Sequence, residues 1–238
     1  MRYSFAGLII EVNFKYDFAR RLCEKYVYDG SAPTDFSVEV TEEMIAAERE
    51  KDTYNSPDSY LESIAAYRQI CNKAFDYGCM FMHCSALSYK GNGVLFTAPS
   101  GTGKSTHSSL WRRTFGEDVV MVNDDKPLLR KIGDKWYVCG TPWDGKHHIS
   151  NNISVPLKAI VIIYQNKENV IEAASKKQAV FTLLNQTIRP ENPDLMNKTL
   201  DNIQSLLSTV PVYRLGCNIS KEAVDTAFSG IKENFDED

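Results

Sequence analysis

Apolar residues fall along this 238-residue chain in two rhythms. From residue 79 onward, "CMFMHCSALSY", "GVLFTA", "VVMV" and "LKAIVIIYQ" are short continuous runs, the pattern of strands covered on both faces. Other segments repeat every three or four positions and predict helices: "GKSTHSSLWRRTFG", stopped by Gly116, then "KKQAVFTLLNQTI", "PDLMNKTLDNIQSLLSTV" and "SKEAVDTAFSGIKENF". "KGNG" between the first two runs predicts a hairpin turn, and so does Gly133-Asp134 between "PLLRKI" and "KWYVCG". "VYRL" adds a last short strand. The sum is an α/β domain with a mixed, hairpin-rich sheet.

The first 78 residues read differently. "FAGLIIEVNF" predicts one strand, and Phe18, Leu22 and Tyr26 lie at helical spacing in "YDFARRLCEKYVYD". Thr41 opens a helix over "TEEMIAAERE", and a longer one begins with Ser56 as cap, Pro57 at its first position, and ends at Gly78. Residues 50–59 read as an exposed loop. The expected organisation is a small α+β annex over 1–78 and a main domain over 79–238, in one compact unit.

Composition excludes several classes. Apolar residues make up 43% and charged residues 24%, an ordinary globular balance. Net charge is −4 and basic residues cluster only in pairs such as Arg112-Arg113, so no nucleic-acid footprint shows. No apolar run approaches the ~18 residues of a membrane helix. The start places Glu11 inside its apolar stretch and offers no cleavage site, so no signal peptide is expected. Six cysteines without a C-x-x-C pair predict reduced, structural thiols in a cytoplasmic protein, whose oligomeric state is left open.

The chemistry concentrates in "APSGTGKST", residues 98–106. A phosphate-binding loop usually reads G-x-x-x-x-G-K-[ST], and here Ala98 replaces the first glycine, where the strand ends and a methyl is tolerated. A strand leads in and a helix leads out, so the amides of Ser100, Gly101, Thr102, Gly103, Lys104, Ser105 and Thr106 can turn toward an anion. Lys104 would meet the β- and γ-phosphates of ATP, and the Ser105 hydroxyl would hold Mg²⁺. About twenty residues on, "VVMVNDD" places Asp124 and Asp125 at the end of a buried strand, where open α/β sheets bind ligands. One acid can hold the metal and the other can take the proton of a hydroxyl; sequence order gives Asp125 the metal and Asp124 the proton, and the two roles can be exchanged. The competing reading is that "NDD" caps a turn.

The ordered set "FMHCSALSYKGNGVLFTAPSGTGKST", "VNDD" and a following hairpin resembles the catalytic domain of HPr kinase/phosphorylase, whose fold is shared with ATP-dependent phosphoenolpyruvate carboxykinases. The likeness covers roughly residues 79–228. "GTPWDGKHH", "NNISVPLKAIVIIYQ" and "VPVYRLGCN" are similar to compact HPr-kinase-like proteins found beside peptide-modifying systems. The resemblance implies a P-loop fold of that type, an active-site role for His83, and shared base and metal duties for Asp124 and Asp125. It departs at Ala98, and the chain lacks a counterpart of the regulatory N-terminal domain and of the stretch that follows the acids in true HPr kinases.

Three more positions are candidates. Lys146 and His147, in the loop "GTPWDGKHH", can bind an acidic substrate or the transferring group, with Gly140 and Gly145 permitting a mobile lid; a solvated surface loop is the plain alternative. Arg189, at a helix end before Pro190, can swing toward the phosphates or simply complement the helix dipole. His107 is expected to be partly exposed, and Trp111, Trp136 and Trp143 to sit in the core or cleft wall. The leading function is a Mg-ATP-dependent kinase acting on a hydroxyl, chiefly serine, of a peptide, protein or small metabolite. The alternatives are a nucleotide sensor or NTPase without such transfer, and a carboxykinase-like enzyme.

Overall fold

The computed structural model describes residues 1–190 and 192–236. At the N-terminus, β1 (Arg2–Phe5) and β2 (Leu8–Val12) pair antiparallel, and β3 (Phe36–Val38) joins β2 in parallel. Helices α1 (Asp17–Leu22), α2 (Glu42–Lys51) and α3 (Asp58–Ala74) belong to the same region. The second sheet has nine strands: β4 (Cys79–Phe81), β5 (Cys84–Tyr89), β6 (Asn92–Thr97), β7 (Val119–Asp125), β8 (Leu128–Ile132), β9 (Lys135–Cys139), β10 (Ser154–Gln165), β11 (Val170–Ala173) and β12 (Val212–Cys217).

Strand β10 is the spine of that sheet. Its first residues, Ser154–Pro156, pair antiparallel with β9, and its second half, Ile160–Gln165, pairs parallel with β12. On its other side β6 runs parallel to it, followed by β5 and β7. Because β10 changes partner midway, the sheet is mixed and curls. Side chains alternate between its faces. Val94 and Phe96 pack toward Leu110 and Trp111 of α4 (Lys104–Phe115) and Val224 of α7 (Lys221–Ile231). Leu95 and Ile160 pack toward Leu183 of α5 (Lys176–Asn185) and Leu206 of α6 (Pro193–Thr209). Among the described residues no helix is long and apolar enough to cross a membrane. All six cysteines are buried and unbridged.

The structure departs from the sequence reading at several points. "FAGLIIEVNF" is not one strand: Ala6 and Gly7, both at positive φ, make the turn of a hairpin. Asp58 opens α3 with Pro57 as its cap residue, while Ser56 instead bonds back to Asp52. "CMFMHCSALSY" divides, because Cys79–Phe81 pairs with β8 while Cys84–Tyr89 pairs with β6 and β7. His83 lies at that division. His107 is buried at 2% exposure, its Nε2 accepting from the Trp111 indole at 3.1 Å, and burial pushes its imidazole down to about 4. The predicted Lys90-Gly91 turn is present with both residues at positive φ, the geometry a two-residue hairpin loop needs.

The two sheets share an aromatic cluster. Trp143 stacks on Tyr67 of α3 at 4.4 Å and meets Phe5 of β1 edge-on, and its indole donates to Ser63 O. The Tyr67 hydroxyl donates to Lys126 O at 2.6 Å, just past the end of β7.

Candidate functional site

Strands β6, β7, β10 and β12 all end at one edge of the nine-stranded sheet. After β6 the chain turns through Gly101 at φ +78° and Gly103 at φ +121°, then enters α4. A Cβ at either glycine would meet no protein atom within 4 Å, so conformation, not crowding, requires glycine there. The first amides of α4 therefore face open space at a helix N-terminus. Lys104 folds back over the loop, its ammonium donating to Ala98 O at 3.0 Å and Pro99 O at 3.4 Å. Burial lowers its pKa, against the upward pull of Cys84 and of Asp125 and Asp124.

The carboxylates end β7. Asp124 is 6% exposed and its Oδ1 has no hydrogen-bond partner. Burial raises its pKa, partly offset by the Ser85 and Ser105 hydroxyls beside it. Burial also pushes the Asp125 carboxyl up, but the His83 and Lys126 interactions together outweigh it and hold the group below its ordinary value. Asp125 Oδ1 lies 3.3 Å from His83 Nε2, and its Oδ2 pairs with the Lys126 ammonium. His83 is held from behind by Gln186, with Nδ1 2.9 Å from Oε1 and its backbone N–H on Gln186 O.

Turn-capping at "NDD" falls to Asn123, not to the acids. Its Oδ1 accepts from the N–H groups of Asp125 and Lys126, and its Nδ2 donates to Thr141. That leaves both carboxylates to face the cleft.

His83, Ser100, Gly101, Gly103, Lys104, Ser105, Thr106, Asp124, Asp125, Lys146 and His147 line one cleft of about 750 Å³, and Thr102 does not. Arg189 does not line it, although it is exposed elsewhere. Arg113, two turns along α4 from Ser105, does line it, as does Ser109. Sequence reasoning missed Asn123, Gln186 and Arg113. Asn123 had a signal, its place before the acid pair. Arg113 had the i, i+4, i+8 spacing of Ser105, Ser109 and Arg113 on one helix face. Gln186, 103 residues from His83, had none.

The loop at 140–148 is less mobile than its glycines suggest. A Cβ at Gly140 would lie 1.9 Å from Asn151 O and 2.8 Å from Val122 O, so this glycine permits close backbone packing and is no hinge. Trp143 and Asp144 are buried, and Asp144 accepts from Ser150 N at 2.9 Å. Only the tip remains outside: Lys146 and His147 are exposed, and Gly145, at φ +69°, lies over Asp125 with its Cβ position 3.2 Å from the Asp125 Cβ. Among the described residues no three His, Cys, Asp or Glu side chains are gathered to hold a metal by themselves.

Comparison with known proteins identifies the family. Residues 50–228 match the family described as SynChlorMet cassette protein ScmC, and the chain belongs to it. No curated protein matches the sequence. Among solved structures, the HPr(Ser) kinase/phosphatase from Coxiella burnetii aligns at 12% identity with a TM-score of 0.35, covering 65% of this chain and 94% of that one.

Proposed function

We propose that the protein is a Mg-ATP-dependent kinase that phosphorylates a hydroxyl group, serine first, on a peptide, protein or small metabolite. The observation that supports this reading is the convergence on one cleft of positive-φ glycines at a helix N-terminus, a buried lysine, and two adjacent carboxylates, one unpartnered at Oδ1 and the other paired with His83 and Lys126.

In this reading the loop amides and Lys104 hold the β- and γ-phosphates. Hard oxygen donors suit Mg²⁺, and Ser105 with Asp124 supplies them; the unpartnered Asp124 Oδ1 is the feature a cation would satisfy. Since no three-residue metal cluster is present among the described residues, nucleotide oxygens and water would complete the shell. A bound Mg²⁺ would neutralise charge developing on the phosphates. Asp125, held ionised and paired with His83, is the group to take the acceptor's proton. The order of the acids along the chain suggests the reverse assignment; the Ser105 and Asp124 pairing favours this one. In the transfer, the acceptor oxygen bonds to the γ-phosphorus, the β–γ bridging bond breaks, ADP leaves, and the hydroxyl proton passes to the Asp125 carboxylate. The His83–Asp125 pair is what favours transfer over nucleotide sensing, because a sensor needs only the metal ligand.

The test is transfer from γ-labelled Mg-ATP to a library of serine-containing peptides and small hydroxyl compounds, together with thermal melts in millimolar Mg-ATP. Binding to the folded state alone should raise the melting midpoint, and Lys104→Ala should remove most of that rise. A midpoint indifferent to Mg-ATP overturns the phosphate-site reading. Binding without transfer to any acceptor returns the protein to a sensor.

A further inference from the structure

The cleft of Lys104 and the two acids continues beyond them. A smaller cleft, of about 450 Å³, runs on along α4 and shares Ser109 and Arg113 with it. Together they form a trough from the first turn of α4, where the phosphates lie in the reading above, to Gly116 at its end. From Ser105 to Arg113 is about 12 Å along the helix axis. A small hydroxyl compound would occupy one end of that span. An extended peptide, rising about 3.3 Å per residue, covers it in about three to four residues.

The lining says what such a peptide must carry. Among the described residues no aliphatic, phenyl or indole side chain lines the larger cleft, and the smaller one has only Val119. An apolar group would have little to be buried against, so recognition falls to charge and hydrogen bonds. Arg112 and Arg113 are exposed, and among the described residues neither side chain has a hydrogen bond or an ion pair; Lys146, at the larger cleft, is in the same state. The carboxylates nearby do not offset these cations. Asp125 is paired with His83 and Lys126, Asp124 faces the metal in the reading above, and Glu117 follows Gly116 at the far end.

We propose that the acceptor is an acidic peptide segment, its serine at the phosphate end of the trough and its carboxylates three or four residues away on Arg113 and Arg112. The inference rests on the kinase reading above and narrows its acceptor. Arginine suits the role because its planar guanidinium can hold a carboxylate through two parallel hydrogen bonds.

The experiment uses the full chain and labelled serine peptides of equal length with Glu, Ala or Lys three and four residues from the serine, on either side. Binding is read by fluorescence anisotropy in Mg-ADP, which needs no turnover, and transfer by γ-labelled Mg-ATP. On one side of the serine the Glu peptide is expected to bind about fivefold or more tightly than the Ala peptide, and the Lys peptide more weakly than both. Salt at about 0.5 M should level that ranking. Arg113→Gln should raise the KM of the Glu peptide about fivefold at unchanged kcat and Mg-ATP affinity, and Arg113→Lys should restore part of the loss. Arginines that only complement the α4 dipole would change the melting midpoint and leave the ranking intact, which overturns the proposal. Equal binding of the three peptides overturns it as well, and so does loss of Mg-ATP affinity in Arg113→Gln, which would assign the arginine to the nucleotide. Those results spare the kinase reading; failure of the wild type to bind Mg-ATP overturns both.

Discussion

At Asp124 a carboxylate sits 6% exposed with one oxygen unpartnered, while Asp125 next to it is bonded at both oxygens. Neighbouring residues of one type thus differ because the β7 backbone points them into different surroundings, one under Ser85 and Ser105, the other toward His83 and Lys126. A desolvated charge without a full set of partners costs stability. Asp124→Asn should therefore raise the ligand-free midpoint, by about 1 kcal/mol or a few degrees, while abolishing the Mg-dependent part of nucleotide binding. Asp125→Asn should leave nucleotide affinity within about twofold and reduce transfer by about 10²–10⁴. Melting curves and calorimetry with and without Mg²⁺ distinguish the two. Loss of Mg-dependent binding in Asp125→Asn alone would exchange the roles.

Among the elements, the 140–148 connection decides how the acceptor side is walled. It is pinned at Gly140, Trp143 and Asp144 and free only at its tip. Gly140→Ala should destabilise the protein by about 2–3 kcal/mol or more, read by chemical denaturation, since a methyl cannot share space with Asn151 O. A hinge glycine would tolerate alanine nearly without loss, so a mild effect would restore the mobile-lid reading. Lys146→Ala combined with His147→Ala should reduce transfer about 10–10³-fold with little change in Mg-ATP affinity. Equal loss of ATP binding would assign the tip to the nucleotide.

Across the whole molecule, the N-terminal region reaches the site through Trp143 and Tyr67. One precedes Gly145 by two residues; the other holds the carbonyl of Lys126, next to Asp125. We expect the two sheets to unfold together. Trp143→Ala should cost about 3–5 kcal/mol and shift a single cooperative transition, monitored by circular dichroism and fluorescence in parallel. Two separate transitions would show that the regions at 1–78 and 79–238 fold independently.

Local features were legible in the sequence because local physics specifies them. Continuous apolar runs become buried strands, Lys90-Gly91 closes its turn, Gly116 ends α4, and the loop at 98–106 sits between a strand and a helix. The loop at 100–106 and the acids at 124–125 could be placed for the same reason, each following a strand the sequence marks, whereas His83 entered only through the family resemblance. What stayed hidden depends on partners distant in the chain. The break at His83 exists because β4 and β5 pair with different strands of a curled sheet, and Gln186 reaches it from the end of α5. The constraint on Gly140 comes from Asn151 and Val122, and a cleft lined by Leu110, Ile163 and Cys217 forms where the ends of β10 and β12 meet α4. Periodicity and turn chemistry report a residue's neighbours along the chain; which backbones then approach within 2–3 Å is decided by packing across the sheet, and that follows from the tertiary fold alone.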